Sequence, residues 1–424
     1  SHGRYYFADR DVWKWQRPNL FCTNEDLFTQ TIVVPYLIPM LQNAGAIVFT
    51  PRERDWQRNE IVIDNDDAVK SVYYFEKEAS KRWKKCDSLG FANRYRLKDG
   101  ENPFRMGTVR QAKATKRKKT SQVSYQPRFK EAGKYAVYVS YQSLPKSVSD
   151  AKYIVYHKGE ATEFSVNQRM GGGTWVYLGT FDFDKGCNEF NRVVCTNKAS
   201  RRGVVTTDAV RFGGGMGNIE RGGYTSGLPR CLEGARYYAQ WAGAPYKVYG
   251  GRKGENDYAD DINTRALMTN WLGGGSVYMP AKNGKHVPIE LSLALHSDAG
   301  YNKDGKSTVG ALAICTTDYN DGILNSGISR FTSKDFARAL RDNLVTDLTA
   351  QFGEFGKRYL WDRNYSETRL PEVPSAILEM LSHQNFPDMR IAQDPLGKFY
   401  IARSIYKTIL RFVNSNHGTR YVVQ

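Results

Sequence analysis

The chain has 424 residues, with 61 Lys and Arg against 44 Asp and Glu and a net charge of +17. That length allows two or three domains and a sizeable core, and no apolar stretch is long enough for a transmembrane helix. The basic surplus favours a polyanion such as nucleic acid, anionic lipid or an acidic cell-wall polymer. The aromatic residues are not interleaved with the basic runs as on an RNA-binding sheet, so nucleic acid is not expected. The sharpest basic run, Lys113 to Lys119, reads as a solvated loop.

In chain order, Glu25 to Asn43 has apolar residues near a helical period, with Thr23 or Asn24 as the N-cap and a kink, or a division into two segments, at Pro35 and Pro39. Ala46 to Thr50 reads as a buried strand, with Pro51 to Asp55 as the loop at its end. From about residue 60 the texture changes. A charged, helical-looking stretch (Val69 to Lys85) gives way to short alternating runs: Tyr135 to Tyr141, Lys152 to His157, Thr162 to Val166, Trp175 to Phe183 and Asn191 to Thr196. Glycine-containing turns fall between them, and short strands at this spacing predict a β-sandwich. The block closes at Thr207 to Phe212 and a Gly213-Gly214-Gly215 exit.

Helical texture then returns. Pro229 to Trp241 and Asn263 to Leu272 predict helices, and Ile289 to Leu295 predicts a buried strand ending at His296. Val309 to Thr316 predicts a second buried strand. Thr332 to Thr349 predicts an amphipathic helix with Ser333 as N-cap and Phe336, Leu340, Leu344, Val345 and Leu348 inward. Ser375 to Leu381 predicts a third strand, carrying Glu379, and Pro395 to Val413 a closing helix. The expected fold class is α/β: an open sheet with flanking helices, interrupted by an inserted all-β sandwich. Its expected parts are residues 1–59 and 216–424 for the α/β domain and 60–215 for the insert.

The candidate chemistry lies at element ends. Open α/β sheets bind ligands beyond the carboxyl ends of their strands, which is where His296 falls. Glu379 is a carboxylate among apolar strand residues, a costly place unless it is paired with an Arg or used as a general base. Glu25 starts a helix, where a charge–dipole pairing is the plain alternative. His2 opens the chain ahead of Gly3, and the plain alternative is that Ser1-His2 is not native. Two histidines and a carboxylate form the three-ligand set that catalytic zinc prefers. His383 is a further residue within reach, whereas His157, His286 and His417 look peripheral. No H-E-x-x-H, G-x-S-x-G or P-loop motif is present. None of the six cysteines forms a C-x-x-C pair, and Cys187 and Cys195, flanking an expected hairpin, are the candidate disulfide in an oxidising compartment.

The order His2-Gly3, Glu25 at a helix start, Gly45 to Asp55 with Pro51-Arg52, Leu295-His296-Ser297-Asp298-Ala299 and Ile377-Leu378-Glu379-Met380-Leu381 resembles the zinc-dependent N-acetylmuramoyl-L-alanine amidases of the amidase-3 class. The resemblance implies Zn2+ held by His2, Glu25 and His296, with Glu379 as the catalytic carboxylate. It also implies cleavage of the amide between the muramyl lactyl group and L-alanine of peptidoglycan. Arg54 or Arg4 would bind a stem-peptide carboxylate. The chain departs from the family in the longer interval between His2 and Glu25, in Arg4 after His2-Gly3 and in Asp298. Pro127 to Tyr141, Trp175 to Phe181 and Thr207 to Phe212 resemble the golvesin C-terminal-like domain, found beside polysaccharide-active enzymes. The expected partner is thus peptidoglycan or a related anionic glycan, met extracytoplasmically. No signal peptide is visible, and the chain begins in mid-motif. The rival expectations are a non-catalytic glycan-binding surface protein and a xanthan-type polysaccharide lyase.

Overall fold

A computed structural model describes residues 2–67, 73–79 and 81–419. These divide into two compact units: Ser1–Pro51, Asn256–Gly284 and Pro288–Gln424 form the first, and Arg52–Glu255 with Lys285–Val287 the second. The architecture is mixed α/β with several separate sheets. Among the described residues no helix is long and apolar enough to cross a membrane.

The first unit is built on a four-stranded mixed sheet in the order Ser292–Asp298, Ser375–Ser382, Ala311–Cys315, Lys357–Asp362. The first pair is parallel, the central pair antiparallel and the last pair parallel. Side chains alternate across the sheet. Ala311, Ala313 and Cys315 enter one apolar core with Leu295, Leu378 and Met380, while Leu312, Ile314 and Ile377 enter a smaller one on the opposite face. Helix Phe331–Phe352 fits the larger core because Phe336, Leu340, Leu344 and Leu348 recur every four residues and all are buried. It ends at Gly353, whose φ of +87° suits glycine. Helix Pro395–Asn416 begins with Pro in its first turn and Asp394 accepting from the Leu396 N–H at 2.8 Å.

Several expectations are corrected in this unit. The run from Glu25 to Asn43 is helical and interrupted at its prolines as expected, by a π-turn at Val33–Leu37 around Pro35, with Pro39 opening the final segment. Asn24 is its N-cap and accepts from the Leu27 N–H at 3.1 Å. Ala46 to Thr50 is irregular chain outside the four-stranded sheet, and Ile47 is 77% exposed. Ser333 does not cap its helix, which starts at Phe331. Its Oγ instead accepts from the Ser375 N–H at 3.1 Å, tying helix to strand.

The second unit holds sheets of five, four and three strands. The five- and four-stranded sheets share one core, in which Val123, Tyr125, Tyr153 and Val155 from one meet Tyr135, Val137, Phe183 and Phe212 from the other. Val69 to Lys85 lies partly outside the described residues. Its described part is β, not helical: Tyr74–Lys77 is an edge strand, and charged side chains are what an edge strand carries outward. Cys195 is buried in that core, and all six cysteines are free thiols, so Cys187 and Cys195 are not bridged.

The expected insert, residues 60–215, lies within this unit, but so do residues 216–255. The reason is packing. Trp241 closes an aromatic cluster with Phe91 and Trp175, at ring-centroid distances of 5.6 and 5.9 Å, and Arg236 pairs with Asp99 at 2.8 Å. The expected helix Pro229 to Trp241 is two pieces, Arg230–Leu232 and Ala235–Trp241, broken at Glu233 and Gly234.

Glu233 is buried at that break. Its Oε1 accepts from the Ser226 hydroxyl at 2.6 Å, its Oε2 has no hydrogen-bond partner, and burial pushes its pKa up to about 7. A carboxyl raised from an ordinary value of 4.5 binds more protons folded than unfolded, so stability is lost as pH rises from about 4.5 to about 7. At 1.36 kcal/mol per pKa unit this loss is on the order of 3 kcal/mol. Urea unfolding at pH 5 and pH 8 should show Glu233→Gln shedding most of that pH-dependent loss. An unchanged difference between the two pH values would refute the assignment.

Candidate metal centre

Three distant segments of the first unit meet at the carboxyl end of strand Ser292–Asp298. The parallel register sets His296 directly beside Glu379 on strand Ser375–Ser382. Glu25 arrives as the first residue of the helical run, fixed by the Asn24 cap. His2 arrives from the residues before the hairpin Arg4–Phe7/Val12–Trp15. His2, Glu25 and His296 are each buried, and one ligand atom from each lies within 4.8 Å of the others.

The contacts define the donor atoms. His296 Nδ1 is 2.7 Å from Glu25 Oε1, and its Nε2 is 2.9 Å from Glu367 Oε2. His2 Nδ1 lies 2.8 Å from Gln16 Oε1, an acceptor, and 2.9 Å from Arg265 Nη2, a donor, while its other ring nitrogen, Nε2, faces Glu25. That Nε2 lies 3.6 Å from Glu25 Oε2. Two donors on one tetrahedral zinc at about 2.0–2.1 Å are about 3.3–3.4 Å apart, so the pair is spaced for a shared ion. Arg17 bridges the same two atoms: its Nε donates to Glu25 Oε2 at 3.2 Å, and its Nη2 is 2.7 Å from His2 Nε2. A cation thus already lies against the donors, and two imidazoles plus a carboxylate are the chemistry that binds zinc.

The electrostatics favour a ligand role at His2, whereas His296 would have to give up a proton before its nitrogen could ligate. Burial, then the charges of Arg265, His296 and Arg17, lower the His2 pKa well below its ordinary value, leaving a neutral imidazole. Burial would also lower His296, but Glu367 and Glu25 outweigh it and push His296 up to about 9. Burial opposes charge on Glu25 and on Glu367, yet both are held below the usual carboxylate range, Glu25 by His296 and Arg17 and Glu367 by His296 and Arg265. Glu379 differs. It is half-buried, its Oε2 is buried without a hydrogen-bond partner, and burial, reinforced by Glu25, Asp298 and Glu367, pushes it up to about 8.

The remaining candidates make other contacts. Arg4 donates to the Trp13 carbonyl at 2.8 Å and packs on the Trp15 ring, so its guanidinium serves the hairpin. Arg54 lies buried in the second unit, 4.3 Å from the Tyr177 ring centroid. His383 contacts the Ser297 hydroxyl at 2.9 Å, one residue beyond His296. Gln16, Arg17, Asp261, Arg265 and Glu367 were not legible as site residues. Asp261 and Arg265 do show a helical i,i+4 charge pair, but such pairs usually lie on a solvated face. Glu367 sits in a short polar helix, Ser366–Arg369, with no periodic signal. Partners that orient a ligand in this way typically carry 10- to 100-fold in metal affinity. Glu367→Gln should therefore weaken zinc binding about 10- to 100-fold in chelator competition, and unchanged affinity would remove Glu367 from the site.

Comparison with known proteins gives partial matches. The golvesin C-terminal domain family model matches residues 99–214. A xanthan lyase from Bacillus sp. (strain GL1) is 34% identical over 97 residues, which are 22% of this chain and 10% of the lyase. The chain thus spans about a tenth of the length of that curated relative. Among solved structures, a Paenibacillus xanthan lyase overlaps 36% of this chain and 13% of its own, with 21% identity and a TM-score of 0.29. The N-acetylmuramyl-L-alanine amidase Ami1 from Mycobacterium smegmatis overlaps 45% of this chain and 85% of its own, with 19% identity and a TM-score of 0.27. Scores of this size carry no argument about activity.

Proposed function

We propose that the chain is a zinc-dependent peptidoglycan hydrolase that cleaves the amide between N-acetylmuramic acid and L-alanine. The observation that carries this reading is the convergence of His2, Glu25 and His296 within 4.8 Å, with Glu379 next to His296 in the sheet register. The substrate class rests on the sequence resemblance to the amidase-3 class, and the net charge of +17 suits an anionic wall polymer met outside the cytoplasm. The second unit, with its golvesin-type match, is read as an inserted sandwich that binds glycan.

On this reading His2 Nε2, Glu25 and His296 Nδ1 hold the ion, while Gln16 and Glu367 fix the orientation of the two imidazoles. A zinc ion there would polarise the scissile carbonyl and acidify a water. Glu379 is the group left to move protons. Its buried, unpartnered oxygen can accept a proton from the attacking water and return it to the leaving amine. The raised pKa lets the carboxyl hold that proton between the two transfers.

The test is Glu379→Gln. It should lower the rate of amide hydrolysis by about 10²–10⁴-fold, the usual share of a general acid–base group, while stoichiometric zinc is retained by elemental analysis. A fully active variant would overturn the role of Glu379. A wild-type protein without stoichiometric zinc would favour a non-catalytic glycan binder.

A further inference from the structure

We infer that the second unit carries a site for one hard divalent cation of the Ca2+ kind, with Asp64, Asn65 and Asp208 as its oxygen donors. All three residues belong to that unit, so the inference is independent of the metal-centre reading. Strand pairing brings them together. Ile61–Ile63 runs antiparallel to Val210–Phe212 with Ile63 opposite Val210, so the chain leaves one strand at Asp64 beside the point where Asp208 leads into the other. A second pair of strands, joined there through Gly90 and Gly107, holds the same residues from their other side. The Phe91 N–H donates to Asp208 Oδ2 at 2.9 Å. Thr108 donates to Asp66 through its N–H at 2.5 Å and its hydroxyl at 2.8 Å, and its Oγ1 accepts from Asn65 Nδ2 at 2.9 Å.

The oxygens these contacts leave over point to a cation. Asp64, Asn65 and Asp208 are 1%, 4% and 0% exposed, and each keeps one buried oxygen without a hydrogen-bond partner: Asp64 Oδ2, Asn65 Oδ1 and Asp208 Oδ1. The Ser140 hydroxyl, beside Asp208, donates to the Ala209 carbonyl at 3.1 Å. Among the described residues no Lys or Arg pairs with Asp64 or Asp208. The charges acting on Asp64 are those of Asp208, Asp67 and Asp66, and burial with these like charges pushes its carboxyl well above the ordinary range. Adjacent buried carboxylates without a cation are expensive. A proton shared between Asp64 and Asp208 would relieve them, but it would leave Asn65 Oδ1, which can only accept, with nothing to bind. A cation uses all three oxygens. A donor set made of oxygen alone, two of its members charged, suits Ca2+, with water completing the shell.

The experiment is Ca2+ titration of the chelator-stripped full chain, followed by calorimetry and by thermal melting. Wild type should bind Ca2+ with a dissociation constant of about 10⁻³ M or tighter and melt at a higher temperature in its presence. Asp64→Asn and Asp208→Asn keep the side-chain size and remove one charged donor, so each should weaken binding about tenfold or more. Asn65→Asp separates the cation from the shared proton. It adds a charged donor and should tighten Ca2+ binding, whereas with a shared proton it lowers the melting temperature at every Ca2+ concentration. Wild type that neither binds Ca2+ nor gains melting temperature overturns the inference, and this result stands even where a variant fails to fold. Ca2+ binding that both Asn variants keep at full strength also overturns it, because the ion is then held by other residues. Zinc content of the same samples reports on the first unit separately, and its loss leaves this inference standing.

Discussion

The parallel pairing of strands Ser292–Asp298 and Ser375–Ser382 is the constraint on which the site depends. Side chains alternate on a strand, so a slip of one residue would send His296 and Glu379 to opposite faces. The pairing is held by apolar residues on both faces: Leu295, Leu378 and Met380 on one, Ile377 on the other. The same core anchors the helical run that begins at Glu25, through Phe28, Ile32 and Leu37. Packing therefore delivers a histidine and two glutamates to one place, and the polar contacts there refine positions that burial has already set.

The charges at this place are arranged as a layered network. Glu25 and Glu367 flank His296, and Arg17 and Arg265 flank His2. Carboxylates favour the charged form of one imidazole, and guanidinium groups favour the neutral form of the other. Two histidines whose ring centroids are 5.0 Å apart thus have opposite proton affinities. Burial raises the stakes of each contact, because a buried charge without a partner is expensive. Glu379 sits next to this network without sharing its hydrogen bonds through Oε2, and it is the carboxyl there that burial keeps protonated most easily.

The second unit uses buried charge differently. Arg211 and Glu53 are both fully buried and pair at 2.6 Å, with the guanidinium 3.8 Å from the Tyr138 ring centroid and the Tyr138 hydroxyl donating to Glu53. Burial raises the pKa of Glu53, but Arg211 outweighs it and holds the carboxyl below its ordinary value. The Trp175 ring lies 5.3 Å from the same guanidinium, and in the core between the sheets Phe129 stacks on Phe183 at 4.6 Å. The high aromatic content of the chain is accounted for largely by such packing. Large rings fill the space between two sheets, and cation–π contacts stabilise buried arginines such as Arg211 and Arg230.

How much was legible follows from range. The alternation in Tyr135 to Tyr141 and the four-residue period from Phe336 to Leu348 are local, so strands and helices could be read from them. His2, Glu25, His296 and Glu379 were legible because each stands at an element end or breaks an apolar run. Ala46 to Thr50 misled because an apolar run records hydrophobicity and says nothing of a neighbouring strand. Residues 216–255 misled because helical texture does not reveal which core a helix joins, which Trp241 and Arg236 decide through contacts more than 60 residues away in sequence. Arg17, Gln16, Asp261, Arg265 and Glu367 had no local signal at all, since a polar side chain in a polar segment looks solvated until the fold buries it. By itself the sequence determined many of the elements and the residue types of the candidate site, because propensity and burial pattern act over a few residues. Only the tertiary structure decided that His2, Glu25 and His296 meet at one place with a guanidinium against two of them, because that depends on strand register and on contacts between distant segments.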